Sequence, residues 1–156
     1  MPNPPGPPEL DDATRRALAV GLFNHVWTLL VMPDRTRESD DEMVHAAHAS
    51  RYHWGEVGQP ENLVRGEWQV SRVYTVLGRG EPAPFHARRC VELNEANGGR
   101  EGWELASGYE AMARASAVVG NRGAVAEWRS KAEAEMAGIR DPEDRRVIEQ
   151  DLVTLP

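Results

Sequence analysis

Histidine is concentrated in the first third of the chain. Four of the five histidines fall between residues 25 and 53. A helix across this region turns by about 100° per residue and therefore places Asp41, His45 and His48 on one face. Two imidazoles three residues apart can converge on one metal ion, and a carboxylate one turn earlier can supply a third ligand. The spacing predicts a site for zinc or another divalent metal at Asp41, His45 and His48.

The same helical face also carries Tyr52, so it combines carboxyl, imidazole and phenol groups. Such a set can transfer protons near neutral pH, which favours a small all-α enzyme or metal-binding protein as one functional class. The alternative is a solvated helix surface, because a His-x-x-His pair without a fixed third ligand is a weak motif. We therefore predict no cofactor, with zinc or another divalent metal at the histidines as the alternative.

The remaining reactive side chains have structural interpretations. His25 shares a helical face with leucines, which is typical of a packed and hydrogen-bonded core histidine. Cys90 is the single cysteine, so it cannot form an intramolecular disulfide, and we expect a buried, inert thiol. The sequence contains no glycine-rich phosphate loop, nucleophile elbow or DNA-binding helix pair. These absences favour a non-enzymatic function.

The composition is that of one ordinary soluble domain, with 156 residues, 40% of them apolar and 28% charged. The net charge of −7 argues against nucleic acid or an anionic membrane as the main partner, because both are polyanions. The longest apolar stretch, residues 17–32, is interrupted by polar residues and is short for a membrane helix. We expect a cytoplasmic protein. Residues 1–10 hold five of the eleven prolines and are predicted to form a disordered tail.

Helix-breaking residues divide the rest of the chain into seven segments of helical length. Asp11 or Asp12 is expected to cap the first helix, and the Ser39–Glu42 capping box to open the second, which Gly58 would close in a left-handed conformation. No stretch alternates with the period of a strand, so the prediction is an all-α protein. Its helices would pair into hairpins at about residues 11–58, 60–99 and 102–138, followed by a last helix at residues 141–154.

Two of the hairpins are similar to each other in sequence. Gly78 and Gly120 each follow an apolar residue at the corner of a hairpin and lie 42 residues apart in the chain, since 120 − 78 = 42. Small residues recur in register around these corners, Ser71 with Ala113 and Cys90 with Ala132. Because a larger side chain would push two crossing helices apart, these positions predict close helix–helix contacts.

This pattern resembles the tetratricopeptide repeat (TPR), whose motif has a small residue in its first helix, a glycine at the turn and small residues in its second helix. The resemblance covers about residues 63–137 and implies a right-handed stack of three antiparallel hairpins with the last helix as a cap. It also implies that the first helix of each hairpin lines a concave groove for a peptide or protein partner. The positions expected to bind that partner are Arg65, Trp68, Arg72, Glu110 and Arg114.

Two alternatives to this TPR-like peptide-binding module are open. The seven segments can also form an irregular six- or seven-helix bundle without repeat symmetry. Because three hairpins are near the minimum for a stable stack, the chain can instead gain burial by forming a homodimer through an uncapped end. If the groove exists, the equivalent arginines Arg72 and Arg114 suit a carboxylate, which they can bind bidentately.

Overall fold

The computed structural model of the protein describes residue 1, residues 5–98 and residues 103–156, and the described residues form seven α-helices. None of these residues lies in a strand, so the all-α prediction is confirmed. The helices are α1 Asp12–Leu30, α2 Arg37–Val57, α3 Pro60–Val76, α4 Pro82–Ala96, α5 Trp103–Val118, α6 Arg122–Ala137 and α7 Pro142–Val153. Residues 5–10 of the predicted tail form no helix, whereas residues 2–4 of the tail and the connection at 99–102 lie outside the described residues.

Most helix boundaries follow the capping signals. The carboxylate of Asp11 accepts a hydrogen bond from the backbone N–H of Thr14 at 2.8 Å, and Asp141 caps α7 in the same way. Gly78 and Gly120 both adopt the left-handed conformation, with φ of 66° and 74°, at the ends of α3 and α5. The two hairpin corners thus use glycine for the same conformational reason.

The two predicted ends of α2 are wrong in detail. Thr36, rather than Ser39, is the N-cap, because its side chain already accepts from the Ser39 backbone N–H at 3.3 Å. Gly58 is extended, with φ of −82° and ψ of 163°, rather than left-handed. A glycine is needed there for space, since a Cβ would lie 2.5 Å from the carbonyl oxygen of Trp54.

Consecutive helices pack in pairs, α1 with α2, α3 with α4, and α5 with α6, and each pair contacts the next. The small residues predicted at helix crossings, Ser71, Cys90, Ala113 and Ala132, are all buried. The hydroxyl of Ser71 donates to the carbonyl oxygen of Ala83 at 2.9 Å, so α3 and α4 approach closely at this point. The predicted close contacts within the second and third hairpins therefore exist.

The last helix, α7, packs on α5 and α6 through an apolar face. Ile148, Leu152 and Leu155 are buried against the α5 and α6 residues Ala106, Ala113 and Ala132. α7 thus covers small residues that would otherwise be exposed at the end of the third hairpin. No helix in the described part of the chain combines the length and the apolar character needed to cross a membrane.

Candidate functional site

A cavity of about 430 Å³ opens between the first helices of the three pairs and α7. We call it the tryptophan cavity. Its apolar wall consists of aromatic and aliphatic side chains from α1, α3, α5 and α7, with the single thiol from α4; these residues are Phe23, Trp27, Val64, Trp68, Cys90, Trp103 and Val147. Its polar wall consists of Arg65, Glu104, Ser107, Gln150 and Asp151. Large aromatic side chains around a few polar groups are typical of ligand sites.

Two of the tryptophans form one side of this cavity. The rings of Trp27 and Trp68 are 5.6 Å apart between centroids and are tilted by 34°. Trp27 is 40% exposed, so part of its ring faces solvent. The indole N–H of Trp68 is buried and has no hydrogen-bond partner among the described residues. The pair therefore offers an apolar surface that a ligand can cover.

The cavity rim holds a charged pair over an aromatic ring. The guanidinium of Arg65 lies 4.9 Å from the ring centroid of Trp103 and donates to Glu104 Oε1 at 3.3 Å. Glu104 is only 10% exposed, whereas the side chain of Arg65 is 46% exposed. Within the described part of the chain this bond uses one of the five guanidinium N–H groups of Arg65, so others can meet a ligand.

Beside the cavity, a buried carboxylate binds two arginines. Glu110 is fully buried; its Oε2 accepts from Arg72 at 3.1 Å and its Oε1 accepts from Arg114 at 2.6 Å. Burial raises the pKa of Glu110, and the two guanidiniums oppose that rise. The same arginines reach α7, because Arg72 pairs with Asp151 at 3.1 Å and Arg114 donates to the hydroxyl of Thr154 at 2.9 Å. We call these five residues the arginine–glutamate network.

The structure thus divides the five predicted partner-binding residues into two groups. Arg65 and Trp68 line the tryptophan cavity, whereas Arg72, Glu110 and Arg114 belong to the arginine–glutamate network. Glu110 was expected to be exposed on the groove, and its complete burial corrects that expectation. The reason is that α7 lies against α5 and closes this part of the surface.

Two of the three predicted metal ligands on α2, Asp41 and His48, have separate partners. The Oδ1 atom of Asp41 lies 4.0 Å from the Nη2 atom of Arg79, a residue just after α3. The side chain of His45 is exposed. His48 Nε2 is 2.8 Å from the hydroxyl of Tyr74 on α3. Across the residues that the structure describes, no group of three or more histidine, cysteine, aspartate or glutamate side chains is arranged to hold a metal ion. The metal site at Asp41, His45 and His48 stays a prediction.

His48 lies instead in a cross-helix group that includes a histidine the sequence interpretation left out. The ring centroid of His48 is 5.4 Å from that of His86 on α4. The Nδ1 atom of His86 is 2.7 Å from Glu67 Oε2, and Arg51 donates to Glu67 Oε1 at 2.8 Å. We call His48, Tyr74, His86 and Glu67 the histidine cluster. The one feature of the sequence that relates to this cluster is that His86 and Tyr74 lie in consecutive helices, α4 and α3.

The electrostatics of the histidine cluster follow from its partial burial. Burial lowers the pKa of His48, and the nearby His86 lowers it further. Burial alone would raise the pKa of Glu67, but the hydrogen bond from His86 and the charge of Arg51 outweigh it, so the pKa of Glu67 is lowered. Glu67 therefore acts as a hydrogen-bond acceptor that fixes the orientation of the His86 ring.

His25 is not the core histidine that the leucine pattern predicted. Its side chain is 42% exposed and its Nε2 lies 2.8 Å from Glu42 on α2. The leucines of α1 do not all face the core, because Leu29 is buried whereas Leu18 is 39% exposed. His25 therefore takes part in an exposed contact between α1 and α2.

Cys90 is the buried thiol that the sequence predicted, and its reactivity can be tested. It is fully buried between α4 and α5, and burial raises the pKa of its thiol to about 12. Because the thiolate is the nucleophile, we expect iodoacetamide to modify native protein at pH 8 about 1,000-fold more slowly than urea-unfolded protein. Mass spectrometry of timed samples measures both rates. Equal rates would contradict the burial of this side chain.

Comparison with known proteins adds no assignment to these sites. Neither a family model, nor a curated protein, nor a solved structure matches the chain.

Proposed function

We propose that the protein binds a peptide or protein partner on the face formed by α1, α3 and α5, with an aromatic side chain of the partner inserted into the tryptophan cavity. One observation carries this proposal: Trp27, Trp68 and Trp103, from the first helices of all three pairs, line one cavity. Its volume of about 430 Å³ is within the range of ligand-binding pockets. In a TPR-like stack, this face would be the concave groove.

The chemistry of the partner follows from the polar wall of the cavity. The exposed guanidinium of Arg65 can bind a carboxylate in two parallel hydrogen bonds. Arg72 and Arg114, which the sequence predicted to bind the carboxylate of the partner, already donate hydrogen bonds to Glu110 and to α7. We therefore propose an aromatic residue followed closely by a carboxylate as the anchor of the partner, with Arg65 and Trp68 as contacts and the arginine–glutamate network as support.

The smallest probe with this chemistry is N-acetyl-phenylalanine, and its amide serves as the uncharged control. A ligand of about 15 heavy atoms at about 0.3 kcal/mol per atom gives roughly 4.5 kcal/mol, or a Kd close to millimolar. We expect saturable shifts of the indole N–H signals of Trp27, Trp68 and Trp103 in NMR titrations, with no shift of Trp128. Trp128 is the internal control because it packs against Tyr109, away from the cavity.

Two variants and a matched control test the contacts. Trp27→Ala should weaken binding of both probes, whereas Arg65→Gln should weaken binding of the acid at least fivefold and leave the amide unchanged. Arg89→Gln is the control, because Arg89 is equally exposed but pairs with Glu92 on α4. Equal shifts at Trp128, or the same affinity in Arg65→Gln for the acid, would contradict the proposed anchor.

A further inference from the structure

The centroid separation of the two imidazoles in the histidine cluster is compatible with two ligands on one metal ion. Their ring centroids are 5.4 Å apart, and the rings are inclined by 70°. Two imidazoles that bind one tetrahedral ion with N–metal bonds of about 2 Å have centroids about 5 Å apart. His48 comes from α2 and His86 from α4, so the pair joins two helices rather than two turns of one helix.

A hydrogen bond from Nδ1 of His86 to Glu67 fixes the orientation of the His86 ring. Glu67 Oε2 accepts a hydrogen bond from Nδ1 of His86 at 2.7 Å, and Arg51 holds the other carboxylate oxygen at 2.8 Å. In the neutral ring the lone pair is then on Nε2, the atom that would bind a metal. A carboxylate behind a histidine is the usual arrangement around protein-bound zinc, where it sets the tautomer and the ring orientation.

Tyr74 supplies an oxygen donor beside His48, and its ring lies against His86. Its hydroxyl is 2.8 Å from His48 Nε2, and its ring stacks on that of His86 at 5.8 Å between centroids. Adjacent ligand atoms around a tetrahedral ion with bonds of about 2 Å are separated by about 3.3 Å, so a small movement of the hydroxyl opens room for an ion. The cluster therefore has three donor atoms, two nitrogens and one oxygen, on three helices.

We propose that His48, His86 and Tyr74 form a binding site for a divalent ion of the zinc, nickel or copper class, separate from the tryptophan cavity. Imidazole nitrogen suits these ions, whereas magnesium and calcium prefer sets of oxygen ligands. Water would complete the coordination. Glu67 is a positioning residue, since it acts on the ion through His86.

The test is calorimetric titration of the full chain with zinc chloride in buffer free of chelators. We expect saturable binding of one ion, a higher melting temperature in zinc, and no response to magnesium chloride. His86→Gln should weaken zinc binding at least tenfold, and Glu67→Gln by roughly tenfold through the loss of ring orientation. Circular dichroism of each variant confirms that its helices are intact.

Two further histidine variants separate this site from other modes of zinc binding. His25→Gln is the control for an exposed histidine that pairs with a carboxylate elsewhere, and it should leave the affinity unchanged. His45→Gln tests the pair on α2 that the sequence predicted. Unchanged affinity in His86→Gln, or a greater loss in His45→Gln than in His86→Gln, would overturn the proposal. If His86→Gln fails to fold, Tyr74→Phe replaces it, and an affinity equal to that of the unmodified chain would overturn it as well.

Discussion

Replacing Glu110 by glutamine is expected to lower the free energy of unfolding by about 3 kcal/mol. Removing one partner of a buried ion pair leaves the other charge without compensation, which costs roughly 3–5 kcal/mol. The value should fall at the low end for three reasons. Arg72 and Arg114 are 15% and 14% exposed and so reach some solvent. Glutamine also removes the cost of burying an ionised carboxylate, the same cost that raises the pKa of Glu110. Arg72 also keeps Asp151 as a partner.

Urea unfolding followed by circular dichroism measures the loss of unfolding free energy. In a thermal melt, we expect the same loss to lower the melting temperature of a chain of this length by about 6–12 °C. Glu133→Gln is the matched control, since Glu133 pairs with Arg129 on the exposed surface of α6 and should change stability by less than 0.5 kcal/mol or so. If the two variants had the same stability, the network would not contribute to stability, and α7 would be held by apolar contacts alone.

The helices were predictable because their signals are local. The aspartate caps and the left-handed glycines act within one turn of the residues that they terminate, so neighbouring residues are sufficient to identify them. Small residues at helix crossings were predictable for a similar reason, because hairpins bring segments close in sequence into contact. The N-cap of α2 was misplaced by three residues, because Thr36 and Ser39 both have hydroxyls suited to capping and only the folded chain selects one.

The candidate sites depend on contacts that local signals do not encode. His86 joins His48 across two helices, and no spacing in the sequence relates them. Packing between neighbouring helices describes Trp128, whose ring lies against that of Tyr109. It does not describe the cavity, which exists only because three first helices place indole rings around one space.

The position of α7 was only half predicted. The TPR resemblance implied that the last helix is a cap, and apolar residues of α7 do cover the third pair of helices. Its contact with α3 through Asp151 and Arg72 had no local signal, because the two residues lie in helices that are far apart in the chain. This contact means that α7 both covers the core and supplies part of the cavity wall, so its docking affects stability and the candidate binding site together.

That docking leads to the second large prediction, for Ile148→Ala. Ile148 is fully buried, and the buried partners in its cluster on α5 and α6 are the alanines Ala106, Ala113 and Ala132. An isoleucine-to-alanine change in a core costs about 2–5 kcal/mol, depending on how far the surroundings can fill the space. These alanines have no rotamer that can move into the gap, whereas Met136, which packs against the same cluster, can fill part of it. We therefore expect a loss in the middle of this range, about 3 kcal/mol.

Val153→Ala is the control for the loss of Ile148, because Val153 is on the same helix and is 82% exposed. Both changes introduce alanine, the strongest helix former, so both raise the helix propensity of α7. They differ mainly in the burial of the side chain that is removed. We expect Val153→Ala to alter the free energy of unfolding by no more than about 0.5 kcal/mol. A loss below about 1 kcal/mol in Ile148→Ala would show that α7 does not pack on α5 as described.

In the double variant that combines Ile148→Ala with Glu110→Gln, the two losses of unfolding free energy should be non-additive by about 0.5–3 kcal/mol, because both changes act on the docking of one helix.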